Sequence, residues 1–108
     1  MTTLELLREK KLLVVGFPYH NPEVVKKLHN QYIQRNKPLT VYIKKEPIYN
    51  TQNGDYPHAI AVYCDNIKIG YISNEVAILL KDEEFVPFKA GLRFITVGTG
   101  VLVPLKLN

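Results

Sequence analysis

DYPHAIAVYCDNIKIGY, residues 55–71, is the stretch on which the reading of this chain turns. Ala59, Ile60, Ala61, Val62, Tyr63 and Cys64 form a short apolar run rich in β-formers. Asp65-Asn66 supplies turn chemistry, and Ile67 to Ile72 then alternates apolar with polar or small residues. Two such runs joined by an Asp/Asn pair predict a β-hairpin. A polar loop over residues 48–57, bearing Asn-Gly and Tyr-Pro, feeds the hairpin, and Ser73 is placed to cap a short helix over residues 74–81.

Working outward toward the N-terminus, Leu39, Val41 and Ile43 alternate with Thr40, Tyr42 and Lys44 as in a half-buried strand. Before it, Asn21-Pro22 reads as a helix start, with Asn as N-cap, Pro at the first helical position and Glu23 in the first turn. Val24, Val25, Leu28, Tyr32 and Ile33 then recur at helical spacing. Residues 12–17 form a further β-type run ended by Pro18, and residues 1–10 could form a short helix or a frayed tail. Toward the C-terminus, Phe85, Val86 and Phe88 form a β-type segment. Gly91 is expected to turn the chain into a strand over residues 92–97, and Gly98-Thr99-Gly100 into a last one over 101–107, where Pro104 marks an edge or bulge. The expected architecture is mainly β (α+β): a single domain over residues 1–108, a small barrel or sandwich of about six strands with two short helices.

The chain has 108 residues, enough for one modest core. No run approaches the roughly 18 apolar residues of a membrane span. Residues 1–11 do not read as a signal peptide, and a single cysteine, Cys64, excludes an intrachain disulfide. A cytoplasmic location and no membrane partner are expected. Net charge is +4, unevenly spread: residues 1–45 carry nine Lys/Arg against three Asp/Glu, and residues 46–108 carry five against seven. A basic half suggests a polyanion partner; it also fits the solvated faces of two surface elements.

Catalytic chemistry is hard to assemble from these residues. Three histidines and one cysteine occur without CxxC or HxxxH spacing, so no metal and no cofactor is expected. Cys64 lies in an apolar run, where a thiol behaves as a small hydrophobe. The GTG turn is too short to cradle phosphate. The chain is therefore not expected to be an enzyme. What it does offer is seven tyrosines and four phenylalanines beside the basic half. Aromatic platforms for bases, with cations for phosphates, are how single strands are bound. Tyr19, Tyr42, Tyr49, Tyr56, Tyr63 and Tyr71 are candidates, with Lys44 and Lys45 for phosphates, although tyrosine is also simply a good strand residue.

Four segments in order, VVGFPYHNP (14–22), KKEP (44–47), HAIAV (58–62) and IGYISNEVA (69–77), resemble the HIRAN domain family. The matching residues are Val14, Gly16, Tyr19, Glu46, Pro47, Ala59, Ile60, Val62, Gly70, Tyr71, Ile72 and Ala77, and the resemblance covers about residues 12–81. It implies an OB-like β-barrel that binds single-stranded DNA at a free 3′ end. On that resemblance Tyr19 would stack on a base, and His20 stands where a second aromatic is common. Asp55, with Tyr56, would read the terminal 3′ hydroxyl, and Tyr71 and Asn74 would approach the end nucleotides. Pro18 and His58 depart from the family pattern. They motivate a second expectation, that the same barrel docks a protein partner or a copy of itself.

Overall fold

The structure is a computed structural model and describes residues 2–16 and 21–105. Six strands close into an antiparallel barrel in the order β1 (Leu13–Val15), β6 (Ile67–Ile72), β5 (Ile60–Cys64), β2 (Leu39–Lys45), β7 (Phe88–Phe94) and β8 (Gly100–Val103), which pairs back onto β1. A separate two-stranded sheet, β3 (Ile48–Thr51) with β4 (Gly54–Tyr56), lies between β2 and β5 in the sequence. The described residues also form three helices: α1 (Thr3–Arg8), α2 (Pro22–Arg35) and α3 (Asn74–Leu79). This is a mainly β, OB-like barrel of the α+β class. No described helix is long and apolar enough to cross a membrane.

The deciding hairpin forms as its residues require. Asp65 and Asn66 both adopt left-handed backbone, with φ of 51° and 66°. That is the type I′ turn whose twist matches the flanking strands, and Asp and Asn tolerate it better than most residues. Ile60, Val62 and Cys64 point into the barrel, where they join Val14, Val41, Ile43, Ile69, Ile72, Ala90, Leu92 and Leu102 in one core. Burial raises the Cys64 thiol, with help from the Asp65 charge, to about 11, so it stays protonated at neutral pH.

Several local expectations are corrected. The polar stretch over residues 48–57 is a hairpin, not an irregular loop. Its order comes from short-range polar bonds: Asp55 Oδ1 accepts the Asn50 N–H at 2.7 Å, and the Thr51 hydroxyl donates to the Gly54 carbonyl at 2.5 Å. Most of its residues are exposed, so no apolar alternation marks it. Gly91 does not turn the chain but sits in the middle of β7. A Cβ there would meet Pro38 Cβ and Val103 Cγ2 at 3.0 Å, so the absent side chain lets the neighbours close over the strand. Phe85 and Val86 precede β7 rather than belonging to it, and β7 ends at Phe94, after which Ile95 and Thr96 both donate to the Thr99 carbonyl. β8 ends at Val103, just before Pro104.

The helices are tied down in ways the pattern did not specify. Asn21 stands at the N-cap of α2 in left-handed backbone, but its side chain makes no capping bond; Nδ2 donates instead to the Lys68 carbonyl at 2.9 Å. Ser73 likewise makes no side-chain cap for α3, which ends at Leu79 rather than residue 81. A third helix, α1, is present: Thr2 accepts the Glu5 N–H, Leu6 and Leu7 are buried, and Glu83 accepts the Thr3 N–H. A carboxylate at a helix N-terminus is favourably placed against the helix dipole.

Candidate functional site

The barrel's outer face over β6, β5 and β2 carries a connected polar and aromatic cluster. Cross-strand register places Val15, Tyr71, Ala61 and Lys44 in one row, and Lys68, Tyr63, Tyr42 and Lys89 in the next. A β-bulge makes this possible. Val62 pairs with Gly70 and Tyr63 with Lys68, which leaves Ile69 without a partner across the ladder. Strict alternation along IKIGYI would place Tyr71 on the same face as Ile67 and Ile69. With one extra residue, Ile69 and Gly70 are both buried, and Lys68 and Tyr71 emerge on the same outer face. Gly70 suits the bulge because it adds no second side chain to the interior.

Glu46 holds the cluster together. The Tyr63 hydroxyl donates to Glu46 Oε1 at 2.6 Å, the Lys68 ammonium pairs with Glu46 Oε2, and Lys68 also donates to the Tyr71 hydroxyl at 2.9 Å. Lys44 lies 4.8 Å from the centroid of the Tyr63 ring, and Lys68 lies 5.8 Å from Tyr63 and 5.1 Å from Tyr71, within cation–π range. Beside these residues a cleft of about 390 Å³ is lined by Thr40, Tyr42, Tyr63, Asp65, Asn66 and Lys89.

The protonation states follow from this packing. Burial raises the Glu46 carboxyl, but bonds from Lys68 and Tyr63 and the charges of Lys68 and Lys44 outweigh it and hold the group below the ordinary carboxylate range. Burial lowers Lys68, but its bonds to Glu46 and Tyr71 win and hold the ammonium above the ordinary lysine value. Burial and the bond to Glu46 both raise Tyr63. The stabilisation from Glu46 is therefore present above the ordinary carboxylate pKa and lost as pH falls through the lowered folded value. Those from Lys68 and Tyr63 are complete below their ordinary values and lost as pH rises through the raised ones. Melting temperature is expected to be level from about pH 5 to about pH 9 and to fall on both sides. Glu46→Gln is expected to flatten the acid limb, and an acid limb unchanged in that variant would exclude Glu46 as its source.

The residues singled out in the sequence are only partly brought together. Lys44 and Tyr71 belong to the cluster, linked through Tyr63 and Lys68. Lys45 does not: its ammonium turns to the end of α3, donating to the Leu80 and Glu83 carbonyls at 3.5 and 3.4 Å beside the Phe85 ring. Asp55 and Tyr56 lie in β4, with Asp55 bonded to the backbone of its own hairpin and Tyr56 paired with Ile48. Asn74 is exposed at the first residue of α3. Tyr19 and His20, with Pro18, lie outside the described residues. The flanking residues Val15 and Asn21 both attach to β6, through pairing with Tyr71 and the bond to the Lys68 carbonyl. Lys68 and Lys89 were not singled out. The hint for Lys68 is Gly70 inside a strand pattern, the usual mark of a bulge.

Comparison of the chain with family models, with curated proteins and with solved structures finds no match in any of the three.

Proposed function

We propose that this barrel binds single-stranded DNA on the outer face of β6, β5 and β2, with a preference for a free 3′ hydroxyl end. The observation that carries the reading is the set of three tyrosines, Tyr42, Tyr63 and Tyr71, set among Lys44, Lys68 and Lys89 on one surface. Rings of this kind offer faces to unstacked bases, and the ammonium groups beside them suit phosphates. In OB-type barrels one sheet face and its adjoining loops are a common oligonucleotide surface. The pairing of Lys68 with Glu46 neutralises one cation, so this face holds rings in place more than it concentrates charge.

The end preference rests on the HIRAN resemblance. Asp55 is the proposed reader: a carboxylate accepts a hydrogen bond from a 3′ hydroxyl and repels a 3′ phosphate, and the Asn50 N–H fixes it on the β3–β4 hairpin. Fluorescence anisotropy with a short single strand ending in a 3′ hydroxyl or a 3′ phosphate, at two salt concentrations, tests both parts. Tighter, salt-sensitive binding of the hydroxyl form is expected, with the difference erased by Asp55→Asn. Equal binding of the two forms would remove the end preference alone. No binding at low salt would remove the nucleic-acid reading and leave a protein partner as the alternative.

A further inference from the structure

A second surface, on the other side of β2, carries no assignment so far. Lys10, Lys37 and Arg93 line a groove of about 730 Å³ floored by Pro38, Gly91 and Val103, and none of its lining residues is acidic. All three cations are exposed, and none is in an ion pair among the described residues. This contrasts with Lys68, which Glu46 neutralises.

The groove continues the tyrosine face. Thr40 lines both the groove and the cleft beside Tyr42 and Tyr63. Lys89, Gly91 and Arg93 occupy alternate positions on β7, so they share one face, with Lys89 paired to Tyr42 and Gly91 to Thr40. At about 3.4 Å per residue, Lys89 and Arg93 stand about 14 Å apart along that strand. Between them Gly91 is buried under Pro38 and Val103, whose side chains floor the path. Three tyrosines account for about three bases, whereas OB-type barrels engage about 4–16 nucleotides, so a longer strand needs somewhere to go.

We propose that the groove at Lys10, Lys37 and Arg93 is a phosphodiester-binding subsite, which takes the backbone of a single strand leaving the tyrosine face past Thr40 and along β7. The subsite rests on the reading of the tyrosine face, but its test separates the two. Anisotropy is measured with oligothymidylates of about 4 and about 16 nucleotides, for the native chain and for Lys37→Glu/Arg93→Glu. Both side chains are exposed, and thermal melts verify folding. Lys37→Gln/Arg93→Gln provides a milder variant should the charge reversal disturb the fold.

The expected result is unchanged affinity for the short strand and a loss of about tenfold or more for the long one. The salt slope for the long strand should fall by about 1 to 1.5, the change for two lost phosphate contacts. Equal long-strand affinity in native and variant chains would overturn the subsite and leave the tyrosine face standing. Equal loss for both lengths would also overturn it, since the cations would then be part of the primary site. Native binding of the long strand alone, lost in the variant, would support the groove and remove the tyrosine face. No native binding of either strand would overturn both.

Discussion

Ile69→Ala is expected to destabilise the fold by about 2–5 kcal/mol, the usual cost of emptying a fully buried aliphatic site. For a domain of this size each kcal/mol lowers the melting temperature by about 4–8 °C. Ile69 is fully buried although no residue across the ladder pairs with it. Its side chain anchors the bulge, and the bulge sets which way Lys68 and Tyr71 face. Ile69→Val removes one methylene and should cost only about 0.5–1.5 kcal/mol. Chemical denaturation of the two variants measures the difference. Equal, small losses in both would mean that the bulge is held by the ladder rather than by the core.

Tyr63→Ala is expected to weaken single-strand binding by about 5- to 150-fold, corresponding to about 1–3 kcal/mol for one stacked base. Tyr63 is the central ring of the face, with Lys44 and Lys68 beside it and its hydroxyl on Glu46. Tyr63→Phe keeps the ring and removes only the bond to Glu46. It should retain most of the affinity while losing about 1 kcal/mol of stability. Anisotropy and thermal melts on the same two variants separate stacking from structure. Full affinity in a folded Tyr63→Ala variant would show that this ring does not stack on a base.

Most of the barrel was legible because its strands obey simple alternation. Val41 and Ile43, and Ile60, Val62 and Cys64, face inward as their spacing requires, and Asp65-Asn66 forms the turn its chemistry favours. Where reading failed, something non-local or polar decided the structure. Gly91 continues a strand because Pro38 and Val103 close over it, which no local pattern reveals. The β3–β4 hairpin is exposed and held by Asp55 and Thr51 bonds, so no apolar period announces it.

The candidate site was half legible for the same reason. Tyr42, Tyr63 and Tyr71 were visible as aromatics and Lys44 as a cation, but their union on one face depends on a bulge that breaks the period of two. Lys45 looked equivalent to Lys44, yet neighbouring positions in a strand point to opposite faces, and Lys45 turns to the end of α3.

One face, built from β6, β5 and β2, is proposed to receive the bases of a single strand. Titrating isotopically labelled protein with a short single-stranded DNA and following backbone and tyrosine-ring NMR signals tests it most directly. Progressive, saturable shifts concentrated at Tyr42, Lys44, Tyr63, Lys68 and Tyr71 are the predicted result. Saturable binding with these signals unmoved, or no shift anywhere at low salt, would contradict it.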